Sequence, residues 1–351
     1  MNNTTQIDIF KMIIEDNLPD ISTAQTINAS KTGKERVDAY MVDIRSGKAG
    51  YMGIIKNIRT MLENDISDQD LQILIDFITN TKMIKKSMIL PFRFVDAWNS
   101  IKDLTDYNEI IESPWKQQLE LAFFGNDKKS NFLKMQEKLK FVKKALEDAF
   151  TASAENVNIA NDGEKVAILL DESCSMGGGR FLEKKKQPFY IGKVLTASLK
   201  MNINKDDCLF YTWADTCTKR EINDQSPFDF IQNLYTKGGG TDVSAPLRKL
   251  IKTKTKVDSI IILTDMQLYG GYGGFGDQVK NYINQYRKEV NPNAKILFWN
   301  LQGYDGGAPI DLEKTQEIFE VSGYSDHMLQ VIPNIWNNKD FLIEEIESIQ
   351  L

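Results

Sequence analysis

The sequence has one histidine, His327, among 351 residues. Zinc sites built from histidine and Ser/His/Asp catalysis both need imidazole, so both are excluded unless His327 itself serves. The three cysteines, Cys174, Cys208 and Cys217, form no CxxC pair and no even framework. That usage points to a reducing compartment. Long hydrophobic runs are missing too: "SIIIL" and "VAILL" fall far short of the ~20 residues a membrane helix needs. The N-terminus "MNNTTQIDIF" has neither a basic flank nor an apolar core, so no signal peptide is expected and a cytoplasmic location is. A net charge of −6 leaves no overall basic excess, and so no global pull toward nucleic acid or anionic membrane; no DNA partner is expected.

What remains is an ordinary globular composition, 42% hydrophobic and 26% charged, in a chain long enough for one large core or two medium ones. Periodicity divides it. Residues 1–50 are polar and weakly periodic over much of their length, and "PDISTAQTINASKTGKERVDAYMVDIRSGKAG" reads as an extended arm or loose helix. From 51 to 150 apolar residues recur at helical spacing. Phe132, Met135, Leu139, Val142, Leu146 and Phe150 share one face, and Ser67 stands as an N-cap before "DQDLQILIDFITN". Residues 151–164 read as a polar linker. From 165 to 351 strand-length apolar runs ("KVAILLD", "CLFYTWA", "SIIILTD", "KILFWNL" and a last one at "HMLQVIP") alternate with helical segments, among them "LEKTQEIFEVSG". Val/Ile/Leu-rich strands separated by helices predict a doubly wound α/β domain with a mostly parallel sheet.

The stretch "DESCSMGGG" (171–179) follows the first of those strands. It could serve as a nucleophile turn, a phosphate cradle, a metal site or a plain loop. No base stands near Ser173 or Ser175 in sequence, and "GGGRFLEKK" lacks the G-K-[ST] of a phosphate loop. In open parallel sheets, ligands bind at the carboxyl ends of the strands. Asp171, Ser173 and Ser175 lie at one such end, Asp265 at another, and Thr241 lies in "KGGGTDVSAP". Two carboxylates and three hydroxyls are hard oxygen donors of the kind that suit one Mg²⁺ or Mn²⁺.

"DESCSM", "GGGTD" and "ILTD" resemble the metal-ion-dependent adhesion site of von Willebrand factor A domains. The resemblance implies direct metal contacts from Ser173, Ser175 and Thr241, with Asp171 and Asp265 acting through waters and hydrogen bonds. It also implies one position open to a partner's carboxylate. Gln267 stands where related domains often carry glutamate, which lowers the negative charge of the site.

Further motifs, "GYMGIIKNIRTML…ISD…KSMILPFRFVDAW" in the first half and "YRKEVNPNAKILFWNLQG" and "IFEVSGYSDHMLQVI" in the second, are similar to the Ro autoantigen, or TROVE, family. The resemblance implies a helical-repeat module followed by the A domain, acting without catalysis to bind small non-coding RNA. The family's helical part is longer than the stretch between Gly50 and Phe150, so a closed ring from one chain is not expected. Residues 82–144 hold 13 Lys/Arg against 8 Asp/Glu. Lys82, Lys85, Lys86, Arg93, Lys138, Lys140, Lys143 and Lys144 are therefore candidate phosphate contacts. Tyr272 and Phe275 in "YGGYGGFG" are candidates for touching a partner. Cys174 reads as a small residue turned to the core. The alternative function is an assembly protein that binds protein neighbours, other copies or a larger complex through the metal site and the N-terminal arm. No enzyme is expected, since the one polar constellation lacks a general base.

Overall fold

The computed structural model describes residues 31–105, 125–155, 163–177, 187–221, 225–266, 275–302 and 318–323, with Asn334 and Trp336; at 105, 125–132 and 275–277 only the backbone is described. The chain forms two compact units, Met1–Ser87 with Asp96–Ala149, and Met88–Val95 with Phe150–Leu351.

Helices dominate the first part of the chain: α1 (Gly33–Ser46), α2 (Tyr51–Glu63), α3 (Asp68–Ile78), α4 (Thr81–Ser87), α5 (Pro91–Ile101), a 3₁₀ turn (Lys102–Thr105) and α6 (Gly125–Ala154). Part of the arm expected over 1–50 is thus a regular helix. Val37, Tyr40 and Met41 of α1 are buried, a short apolar stripe within a polar segment, and an Arg45–Asp70 ion pair ties α1 to α3. In α2 the buried residues Tyr51, Ile54, Ile55, Ile58, Met61 and Leu62 follow steps of three and four, the amphipathic pattern that drives helix packing. The Tyr51 hydroxyl donates to the Ile78 carbonyl, and its ring stacks on Phe77 at 5.4 Å. Ser67 caps α3 as expected, accepting from the Asp70 N–H at 3.1 Å. Leu139, Val142, Leu146 and Phe150 of α6 are buried on one face, as the spacing predicts. That helix runs on to Ala154, into the stretch expected to be linker.

The second unit contains β1 (Val166–Asp171), α7 (Pro188–Met201), β2 (Cys208–Trp213), β3 (Cys217–Arg220), α8 (Pro227–Asn233), α9 (Ser244–Lys252), β4 (Ser259–Thr264), α10 (Phe275–Glu289), β5 (Lys295–Asn300) and β6 (Ile318–Ser322). Its sheet is ordered β3-β2-β1-β4-β5-β6. All neighbours are parallel except the β2–β3 pair. Every residue of β1 and β4 is buried, because helices cover both faces. On one face Ala167, Leu169, Ile260 and Ile262 pack with Val243, with Leu247 and Leu250 of α9 and with Val279, Ile283 and Tyr286 of α10. On the other face α7 comes so close at Gly192 that an added Cβ would overlap the Leu170 side chain.

One strand has no signal in the sequence, and one expectation fails. The edge strand β3 has no apolar run to announce it, since "CTKR" alternates around a half-exposed hairpin. The sixth strand is Ile318–Ser322, inside the segment read as helical. "IFEV" also fits a strand with one covered face, and pairing with β5 selects that conformation. The strand expected at "HMLQVIP", and His327 within it, lie outside the described residues.

Candidate metal centre

Strands β1 and β4 are the central parallel neighbours, and their register pairs Leu170 with Leu263. The next residues, Asp171 and Thr264, therefore leave the sheet side by side at its carboxyl edge. The Thr264 hydroxyl donates to Asp171 Oδ2 at 2.7 Å, and the Ser173 N–H donates to Asp171 Oδ1 at 2.8 Å. Asp171, Ser173 and Asp265 are each 0% exposed. Burial pushes the Asp171 carboxyl up to about 7, and the neighbouring Asp265 charge adds to that, while the two hydrogen bonds pull the other way.

Ser173 and Ser175 stand with their hydroxyl oxygens 3.1 Å apart, and Ser175 donates to Asp265 Oδ1 at 3.4 Å. These contacts join four of the five predicted residues in one crest, buried but for the half-exposed Ser175. Thr241, also buried, closes the loop Gly238–Thr241, and among the described residues no hydrogen bond of its own joins it to the crest. That loop is tied to the serine turn: the Cys174 N–H donates to the Gly239 carbonyl at 3.1 Å, and the Gly239 N–H donates to Cys174 Sγ at 3.4 Å. Cys174 is exposed, contrary to the core position expected of it, because its sulfur is spent on this loop contact.

The loop needs its glycines. Gly239 has φ +134°, and a Cβ there would lie 2.8 Å from Asp215 Oδ2. At Gly240 a Cβ would run into the same carboxylate, which accepts the Gly240 N–H at 2.9 Å. Below the crest, Arg220 of β3 clasps Glu172 at 3.2 Å and donates to the Thr212 hydroxyl at 2.8 Å. The Thr236 hydroxyl donates to the Glu172 carbonyl at 2.8 Å. At the start of α9 Arg248 pairs with Asp242 at 2.6 Å. Burial pushes the Asp242 carboxyl up, but hydrogen bonds from Arg248 and Ser244 outweigh that and hold it below its ordinary value.

Thr264, Asp215 and Thr236 were not singled out from the sequence. Thr264 was the legible one: it precedes Asp265 in "ILTD", and parallel pairing of the first strand with that one places it beside Asp171. Asp215 and Thr236 act only through backbone geometry that no motif encodes.

Among the described residues no three His, Cys, Asp or Glu side chains cluster closely enough to hold a metal. A cation here must use hydroxyls as well, and the crest offers them. Its donors are all hard oxygens, two of them buried carboxylates tied to the serine hydroxyls and backbone. That donor set fits Mg²⁺ or Mn²⁺.

The basic candidates differ in exposure and in their carboxylate neighbours. Lys82, Lys85 and Lys86 are exposed on α4 and Lys140 on α6, while Arg93 is half-buried in the first turn of α5. Lys138 is a tether. It donates to the Ile66 carbonyl at 2.5 Å and lies 3.6 and 3.7 Å from Asp65 and Asp68. Lys143 lies 3.6 Å from Glu147 and 5.7 Å from the Trp98 ring centroid, and Lys144 pairs with Asp148 at 2.6 Å. Tyr272 and Gln267 lie outside the described residues, and Phe275 opens α10 with only its backbone described.

With the geometry in place, comparison assigns the class. Residues 31–152, the helices from α1 through nearly all of α6, match the family model of the TROVE domain, and the doubly wound domain follows them. A crystal structure of the Ro (RSR) protein of Deinococcus radiodurans is similar at TM-score 0.55 and 17% identity, over 86% of this chain and 55% of that one. The expected architecture, a helical module and then a doubly wound α/β domain, is borne out, and with it the resemblance to the Ro family. This chain spans 55% of the length of the Deinococcus protein. A crystal structure of an aerotolerance-related membrane protein of Bacteroides fragilis matches half of the chain at 16% identity and TM-score 0.32. No helix among the described residues is long and apolar enough to cross a membrane.

Proposed function

We propose that this chain is a non-enzymatic, Ro-like RNA-binding protein whose α/β domain holds one Mg²⁺ or Mn²⁺ and recruits a partner through it. The reading rests on the TROVE match at residues 31–152 in the same chain as the oxygen-lined crest of Asp171, Ser173, Ser175 and Asp265, with Thr241 as its proposed fifth donor. The cation would supply a Lewis-acid position for a carboxylate of the partner protein. The protein's own residues hold two carboxylates and two serines together before any ligand arrives. Small non-coding RNA would meet exposed cations, with Lys82, Lys85, Lys86 and Lys140 the best placed. Tyr272 and Phe275 remain candidates for the partner-facing loop.

The test is to purify the full chain from its source, sequence the RNA that stays bound, and measure the salt dependence of its affinity. A steep fall with salt, and a weaker complex after joint Lys-to-Glu changes at Lys82, Lys85 and Lys86, support the reading. No binding at low salt removes it. A second reading, an assembly protein bound to other proteins, is favoured by the carboxylate partners of Lys138, Lys143 and Lys144. The same purification would then return protein without RNA.

A further inference from the structure

Helix α6 carries two stripes. The buried one is Leu139, Val142, Leu146 and Phe150. The other, Lys134, Glu137, Phe141, Lys144 and Asp148, repeats at steps of three and four on the opposite side, and all five residues are exposed. Phe141, a large apolar side chain, is 59% exposed at the centre of that stripe. Lys134, Glu137 and Phe141 also line a cleft of about 670 Å³ whose apolar lining includes Ile66 and, from α3, Leu71 and Ile75.

In order, the exposed stripe reads positive, negative, apolar, positive, negative. Laid antiparallel against itself about Phe141, it sets Lys134 opposite Asp148, Glu137 opposite Lys144 and Phe141 opposite Phe141. A surface complementary to its own reverse is what a two-fold, isologous interface requires. The three-and-four spacing keeps such a seam in register along two helices. The intrahelical Lys144–Asp148 pair is exposed, and exchanging it for a contact between copies costs little. Beside the seam, the cleft gives the second helix apolar surface to cover, which a lone row of ion pairs would lack.

We propose that this face of α6 binds a second copy of the same chain, helix antiparallel to helix, with the helix of each copy lying along the other's cleft. The proposal needs neither the RNA nor the metal, so it stands or falls separately from the function proposed above.

Sedimentation of the full chain, RNase-treated, over a wide concentration range reads it out. A reversible monomer–dimer equilibrium is expected, with Phe141→Glu weakening it roughly ten-fold or more. Lys134→Glu and Asp148→Lys should each weaken self-association, since each sets like charges opposite one another at both ends of the seam. Mixing these two variants should restore dimers, because every opposed pair in the mixed species is again of opposite sign. All altered side chains are exposed, and circular dichroism checks that the variants fold. A chain that stays monomeric at every concentration overturns the proposal. So does a dimer indifferent to Phe141→Glu, or one whose two charge variants gain nothing on mixing.

Discussion

The Thr264 hydroxyl donates to Asp171 Oδ2 at 2.7 Å, joining the carboxyl ends of the two central strands inside the protein. The bond gives a fully buried carboxylate one of its two firm donors, the other being the Ser173 N–H. Thr264→Val keeps the volume but leaves Asp171 short of that donor. A loss of about 1–3 kcal/mol in denaturant unfolding is expected, with Thr264→Ser much milder. Equal stability of Thr264→Val and the parent protein would contradict the role given to this bond.

If the crest holds a divalent cation, Mg²⁺ should raise the melting temperature of the parent chain. At a free concentration one hundred times its dissociation constant the gain is about 2.7 kcal/mol. Asp265→Ala and Ser175→Ala should abolish that Mg²⁺ response while leaving a folded protein by circular dichroism. A melting temperature indifferent to Mg²⁺ and Mn²⁺ would speak against the site.

Gly240→Ala should weaken the loop that carries Thr241, because the new methyl meets the Asp215 carboxylate. Adding Asp215→Ala should recover part of the loss, the coupling expected of residues in contact. Gly239→Ala should not be recovered as well, since its φ of +134° remains strained for any side chain. Thermal melts of the four variants decide this.

Burial pushes the thiols of Cys208 and Cys217 up to about 12. Both stay protonated in the folded chain where the unfolded chain would ionise, so folding retains protons. Their contribution is intact below the ordinary thiol value of 9.0 and is lost as pH rises from there to about 12. At pH 8 an alkylating reagent should therefore label Cys174, the exposed thiol, well before the other two. Peptide mapping that finds Cys208 labelled first would refute this.

Lys138 should matter for folding rather than for RNA. Lys138→Met removes a donor to the Ile66 carbonyl and should lower stability by about 1–3 kcal/mol, with RNA affinity little changed. Lys85→Glu, on an exposed face of α4, should do the reverse.

The α/β half was legible in outline because its central strands are continuous apolar runs, and Asp171 and Asp265 follow directly from the ends of two of them. Thr241 and the two serines needed the family's spacing as well, since hydroxyls in glycine-rich loops have many ordinary uses. Linear charge density does not show which lysines already face carboxylates: Lys138 meets Asp65 and Asp68, far away along the chain. For helix α1 the sequence leaves extended arm and loose helix both open because its apolar stripe is short, and the tie to α3 supplies what propensity lacks.

At Gly192 the backbone of α7 lies where a side chain would otherwise separate helix from sheet. Helix and first strand are therefore keyed together, and neither can slide along the other without driving a neighbouring side chain of α7 into Leu170. Opening β1 to solvent then requires lifting the helix off as a whole. Amide protons of Ala167 to Leu170 should exchange only through the global unfolding of that unit, and the floor beneath the two serines should be among the last parts of the domain to loosen.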